Sequence, residues 1–335
     1  MSGLEVLQAG PGGTVQDMGR PGYLALGLSR GGAADRIALA EGAALLRQPV
    51  GTALELAGFG GRFRADVPCR IALSGAPMRA TLDGAPLVWN ASHLMPAGAV
   101  LDIGGAQAGV YGYLTVGGGF DLSEALGARS AHLSAGLGAV LQANDVLPLA
   151  PDTGRTVGQV LDAAARFDGG ELRVLPSLQT TMFPEEMRAR FTQEVFRRDS
   201  RGNRMGIRIL PPEEGYGLTS GQSIVSEVIT PGDIQIPGDG APYVLLYECQ
   251  TTGGYPRIGT VIPADLPRVA QAAPGAELRF RFVTRDEALE AEAGYRRMLE
   301  GLPGTVRPLI RDPAQMSDLL SYSLISGVTA GEELS

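Results

Sequence analysis

Lysine is absent from this chain: all 28 basic side chains are arginines. A high-GC genome accounts for the bias, but the chemical consequence holds whatever its origin. There is no P-loop lysine, no Schiff-base lysine and no lysine to carry biotin or lipoate. Histidine is nearly as scarce, with only His93 and His132, so a multi-histidine metal centre is excluded and no metal site is expected. Cys69 and Cys249 stand far apart outside any CxxC context and read as reduced, buried thiols. Cys249 adjoins Gln250, yet no histidine is near it in sequence, and it is not taken as a nucleophile. No sustained basic run offsets the net charge of −8, which argues against an electrostatic grip on nucleic acid. The opening MSGLEVLQAG has no charged-then-apolar leader, and no stretch of ~18 uninterrupted apolar residues occurs. A soluble, cytoplasmic chain with no membrane partner is expected.

What is present is glycine and proline, 48 and 23 of 335 residues, spread along the chain instead of gathered in one tract. That spread predicts many turns and short strands. From 53 to 149 the text is short apolar runs (CRIALSG, AVLDIGG, VYGYLTVGGGF) cut by Gly, Pro, Asp and Asn, with Asp83-Gly84 as a hairpin turn. This reads as an all-β region closing on itself, a barrel rather than an open sheet. Strand-like runs resume after 170, and Leu278, Phe280 and Phe282 alternate onto one face. Helical spacing appears in 33–49, with Asp35 near its start and Pro49 as a stop, and in 183–196, with Pro184 at its opening. It appears also from Thr284, where Glu287 completes a capping box. A short helix is expected within 150–170 and another around Met316, Leu319, Leu320 and Leu324. The division expected is 1–165, 166–300 and a C-terminal extension, 301–335.

Several polar clusters invite a functional reading. In TVQDMGRPGY, Asp17 and Arg20 can pair to fix a tight turn, or Arg20 can face an anionic substrate. In RRDSRGNRMGIRI five arginines stand against one aspartate; a solvated loop is one reading, and a carboxylate or phosphate site at Arg204, beside Met205 and Gly206 at the mouth of a strand, is the other. Ser226 and Glu227, followed by Gln235 and Pro237, serve as a weak catalytic signal or as hydrogen bonding at a strand–turn junction. The densest cluster is Gln250-Thr251-Thr252-Gly253-Gly254-Tyr255-Pro256. An amide, two hydroxyls, adjacent glycines and a tyrosine held by proline form a neutral polar cradle for a carbonyl, an amide or a developing oxyanion. One such donor contributes ~3 kcal/mol to a transition state; the bland alternative is an elaborate turn.

These residues carry a resemblance. TVQDMGRPGY, NRMGIR, SE…PGDIQIPGDGAP, QTTGGYPRIGTVIPADLPRVAQ and PGAELRF resemble, in order, the family of the 5-oxoprolinase C subunit, KipA and allophanate hydrolase subunit 2. The same family forms the larger part of the carboxyltransferase domain of urea carboxylase. The resemblance runs from about residue 4 to 283; SRGGAAD departs from it, with Ala34 where the family usually has Met. It implies a mainly β chain with a few helices, built as two cyclophilin-like β-barrel units. It also implies partners: a smaller, KipI-like B component that helps to form the active site, and a LamB/YcsF-like A component. The activity implied is ATP-dependent opening of 5-oxo-L-proline to L-glutamate, with ATP and magnesium used by the complex and no covalent biotin on this chain. In that setting Gln250, Thr251, Thr252, Gly253, Gly254 and Tyr255 are assigned to catalysis. Arg204, Met205, Gly206, Arg20, Asp17, Ser226, Glu227, Gln235, Pro237 and Pro256 are assigned to the substrate, with Arg204 or Arg20 on its carboxylate. The alternatives are a biotin-dependent carboxyltransferase component, with biotin arriving on another protein, and a KipA-like regulator that only binds.

Overall fold

The computed structural model describes residues 2–218 and 224–310. Its chain is mainly β, as expected. In the first half the strands form two sheets. Gly3–Ala9, Phe59–Ala65, Val100–Ala106 and Met78–Leu82 are the body of a six-stranded sheet, with Val146–Pro148 and Ala85–Pro86 at its edges. Thr14–Gln16, Ala53–Ala57, Tyr111–Val116, Cys69–Gly75 and Ser92–Met95 form the second, of five strands. Leu4, Val6, Phe63, Leu101 and Ile103 of the first meet Leu54, Leu56, Ile71, Leu73 and Leu114 of the second in one apolar core. The hairpin at Asp83-Gly84 forms, with φ 48° and 83°, the left-handed pair that a two-residue turn needs.

Helix α1 (Arg36–Leu46) lies on the outer face of the five-stranded sheet, so Cys69–Gly75 is buried on both faces. Asp35 caps α1 through Oδ1 to the amides of Ile37 and Ala38. Its other oxygen accepts from Arg166 Nε at 2.6 Å and Gln271 Nε2 at 2.8 Å. Arg166 also pairs with Glu41, deep in the interior. Arg166 and its neighbour Ala164 are thereby bound to α1 by tertiary bonds, and the helix expected in 150–170 does not form; a two-residue strand, Gln159–Val160, is the regular structure there.

The second half closes into a seven-stranded barrel in the order Gly170–Leu175, Arg257–Val261, Asp233–Gln235, Tyr243–Leu245, Gly206–Leu210, Phe196–Asn203, Glu277–Phe282, with the last strand parallel to the first. Helix α2 (Glu185–Gln193), preceded by Pro184, sends Phe191 into the interior, where it stacks on Phe280 with centroids 4.6 Å apart. Leu278 and Phe280 are buried as the alternation requires. Helix α3 (Leu266–Gln271), which the sequence did not announce, locks the halves together: Gln271 Oε1 accepts from the amides of Val110 and Tyr111. Helix α4 (Arg285–Thr305) carries the expected Thr284–Glu287 capping box and returns to pack on α1. The core of the barrel is continuous with Ala38, Leu39, Tyr111 and Tyr113 of the first half. No helix among the described residues is long and apolar enough to cross a membrane. The helix expected around Met316 to Leu324 lies outside the described residues.

Candidate active site

Beyond the strand Tyr243–Leu245 and a turn at 246–249, Gln250, Thr251 and Thr252 line a polar cleft of about 450 Å³ together with Ser29, His132, Ser134 and Cys249. The opposite wall thus comes from two loops of the first half. Ser29 Oγ lies 2.9 Å from His132 Nε2, and Ser134 Oγ lies 3.2 Å from Nδ1. The Ser134 hydroxyl donates its one proton to the Glu248 carbonyl. With that assignment the tautomer that satisfies the ring carries its proton on Nδ1 and donates to Ser134, which sets the Nε2 lone pair toward the Ser29 hydroxyl. Burial first, and the charge of Arg20, lower the His132 pKa against the opposing pull of Glu248. The imidazole is accordingly neutral near pH 7 and able to accept a proton. A serine hydroxyl on the free nitrogen of an oriented imidazole is the geometry of an activated nucleophile or proton relay.

Glu248 holds this wall in place. Its Oε2 accepts from the Leu133 amide at 3.1 Å and its Oε1 from Arg204 Nε at 2.6 Å. Arg204 also pairs with Glu55 and donates to the Gly32 carbonyl. Burial works against its charge, but the two carboxylates raise its pKa well above the ordinary arginine value. Each of the three guanidinium nitrogens of Arg204 is thus engaged by the protein, which makes it a link between the halves in place of the carboxylate ligand assigned from sequence.

Arg20 is corrected likewise. It is 1% exposed, behind the cleft wall, with Nε and Nη2 on the carbonyls of Ala125 and Ser130. Asp17 forms no ion pair with it; its oxygens accept from the amides of Gly19, Arg129 and Ser130, and the role is to shape two loops. Met205 lines a different cavity, and Gly206 pairs with Leu245 inside the barrel.

The remaining assignments divide. Glu227–Val228 and Thr252–Gly253 pair as a two-stranded ladder, which brings Ser226 and Glu227 beside the glycines. Glu227, however, is engaged by Arg257 Nη2 at 2.7 Å and Gln179 Nε2 at 2.6 Å. A Cβ at Gly253 would lie 2.5 Å from Gln235 Nε2; its place is next to a buried amide, not in the cleft. Pro237 and Pro256 act through their carbonyls, which accept from Gly240 and Ile236. Tyr255 is 52% exposed and stands outside the cleft lining. Of the cradle read from sequence, Gln250 to Thr252 face the cleft. Ser29, His132 and Ser134 escaped that reading because 103 residues separate Ser29 from His132; the one available signal was the scarcity of histidine. Cys249 reaches the cleft, but burial pushes its thiol up to about 12.

The chain is thus a mainly β domain whose closed barrel and two-sheet unit hold a polar cleft between them. The profile of the family described as carboxyltransferase domain, subdomain A and B, matches residues 26–282, and the chain belongs to that family. It is 33% identical to the C subunit of 5-oxoprolinase from Haemophilus influenzae over 85% of this chain and 93% of that protein. It is also 33% identical to the protein of the same name from Escherichia coli K12, over 89% and 97% respectively. Against the putative urea carboxylase of Emericella nidulans it is 26% identical over 98% of its own length but 28% of that protein's. Among solved structures, that of TTHA0988 superposes with a TM-score of 0.77 at 31% identity over 84% of this chain. The Kluyveromyces lactis urea amidolyase superposes at 0.79 and 22% identity, a likeness of fold. The chain spans 56% of the TTHA0988 chain and 21% of the amidolyase.

Proposed function

We propose that this chain is the C subunit of an ATP-dependent 5-oxoprolinase that opens 5-oxo-L-proline to L-glutamate, working only with its partner proteins. The observation that carries the reading is the polar cleft, where Ser29 and His132 face Gln250 to Thr252. Opening a lactam requires a nucleophile relieved of its proton and neutral donors for the carbonyl oxygen as charge develops there. The His132 Nε2 lone pair serves the first need. The Gln250 amide and the hydroxyls of Thr251 and Thr252 serve the second. The names of relatives that this chain matches almost end to end support the choice of substrate.

The substrate carboxylate and the nucleotide fall to the partners in this reading. Among the described residues no arginine lines the polar cleft; Arg204 is engaged by Glu55 and Glu248, and Arg20 donates to main-chain carbonyls. These residues do not fit a triphosphate, and no step is assigned to ATP on this chain. A partner fits the surface beside the cleft: Leu178, Val225, Val228 and Tyr255 are 87, 86, 57 and 52% exposed around the ladder of Glu227–Val228 and Thr252–Gly253. Exposed apolar side chains gathered at one site mark an interaction surface. Reconstitution of the chain with the KipI-like and LamB/YcsF-like proteins, followed by phosphate release from ATP, tests the proposal. Release that requires both this chain and 5-oxo-L-proline, with equimolar glutamate, is expected. A complex that assembles without such release would instead direct attention to biotin-dependent carboxyl transfer or to a regulator that only binds.

A further inference from the structure

A second cavity, of about 640 Å³, adjoins the polar cleft at Ser134 and is bounded by both halves of the chain. Its wall is mainly apolar, with Ala57, Ala106, Val110, Leu133, Met205 and Pro274. Three charged residues reach it. Arg204 is shared between Glu248 and Glu55, as described, so that cluster holds no spare positive charge. Arg198 differs from both. It is 7% exposed, its Nη1 donates to the carbonyls of Asp199 and Ser200, and its buried Nε has no partner. No carboxylate among the described residues lies within ion-pair distance of it, since Asp199 turns its oxygens to Arg201 and Arg208. The guanidinium rests against Gly202, where a Cβ would come within 2.7 Å of Nη2.

A buried cation without a counter-ion is costly, and such a charge on the wall of an apolar cavity is a candidate ligand-binding group. We propose that this cavity binds a small amphipathic anion, an apolar body ended by one carboxylate or a comparable group, with Arg198 as the counter-ion. One uncompensated cation matches one negative charge. A polyanion would bring its further charges toward Glu248 on the same wall. The volume suits a ligand of drug-like size and exceeds what a single 5-oxoproline fills. The cavity shares only Ser134 with the lining of the polar cleft, and the inference rests on Arg198 and not on the oxoprolinase reading. Because Ser134 belongs to both cavities, an occupant would sit next to the hydroxyl that orients His132.

Octanoate, with 1-octanol and ATP as comparators, probes the site by calorimetric titration of the full chain. Saturable octanoate binding is expected. Arg198→Met should weaken it at least tenfold while leaving 1-octanol binding unchanged, and Arg198→Lys, which keeps the charge, should hold octanoate within a few fold of wild type. Ala106→Phe, which fills the cavity from the first-half side, should abolish binding of both at an unchanged unfolding midpoint, which keeps the test valid if the Arg198 variant fails to fold. Octanoate binding unaltered by Arg198→Met and Ala106→Phe would overturn the proposal, as would the absence of saturable binding. Competitive displacement of octanoate by ATP would overturn it too, in favour of a nucleotide.

Discussion

Replacing Arg204 by methionine separates a structural role from a substrate-binding one. In the folded chain Arg204 is shared between Glu55 and Glu248, both of them buried, and ties the strand Ala53–Ala57 and the loop at Gly32 to the second half. Methionine fills most of the volume but leaves two carboxylates without a cation. Removing one member of a buried ionic cluster costs about 3–5 kcal/mol, which for a chain of this size lowers the unfolding midpoint by roughly 4–7 °C. Adding Glu55→Gln and Glu248→Gln should recover most of that loss. The amide oxygens can still accept from the amides of Ala34 and Leu133, while no charge remains buried. Urea and thermal unfolding of the single and triple variants decide the matter. A single variant within about 1 kcal/mol of wild type that instead loses affinity for an anionic substrate would refute the reasoning, since an arginine held for a ligand behaves in that way.

The other expectations concern local geometry. Gly253→Ala should cost about 1–3 kcal/mol, because the added Cβ meets Gln235 Nε2 and the Ile229 side chain, and Gln235→Ala should relieve part of it; unfolding free energies of the two and of the double variant check this. Stability should fall as pH drops below the ordinary histidine pKa. His132 is held neutral by burial, so its folded pKa lies below its unfolded value; its contribution is complete above about 6.5 and is lost as pH falls through the folded pKa. His132→Asn should flatten that part of the pH–stability curve. Cys69 and Cys249, with thiols pushed up to about 11 and about 12, should alkylate with iodoacetamide at pH 8 at least ~10²-fold more slowly than free cysteine, and at the normal rate after unfolding. Fast native labelling of Cys249 would place a reactive thiol in the cleft.

Local signals in the sequence were sound where the cause is local. The Asp35 cap, the Thr284–Glu287 box, the Asp83-Gly84 turn and the Leu278/Phe280 alternation each depend on residues within a few positions of one another, and each appears as expected. Helix α3 was hidden because it is six residues long and opens Leu266-Pro267, and its value lies in Gln271 reaching Val110 and Tyr111 across the fold. The candidate site was legible by half. Gln250 to Thr252 stand out as a polar tract next to an apolar strand, whereas the pairing of Ser29 with His132 exists only once the first sheets have closed. Arg204 looked free because a sequence shows its charge and not the two glutamates, 149 and 44 positions away, that neutralise it.

The most direct test of the proposed site is 5-oxo-L-proline-dependent phosphate release by the reconstituted complex carrying Ser29→Ala or His132→Asn. Each change removes one end of the hydrogen bond that frees the serine proton, at a position remote in sequence from the exposed Tyr255 surface. Each should reduce turnover by at least ~10²-fold while leaving assembly with the partner proteins intact. Turnover within a few fold of wild type in both variants would contradict the assignment of the polar cleft as the catalytic centre.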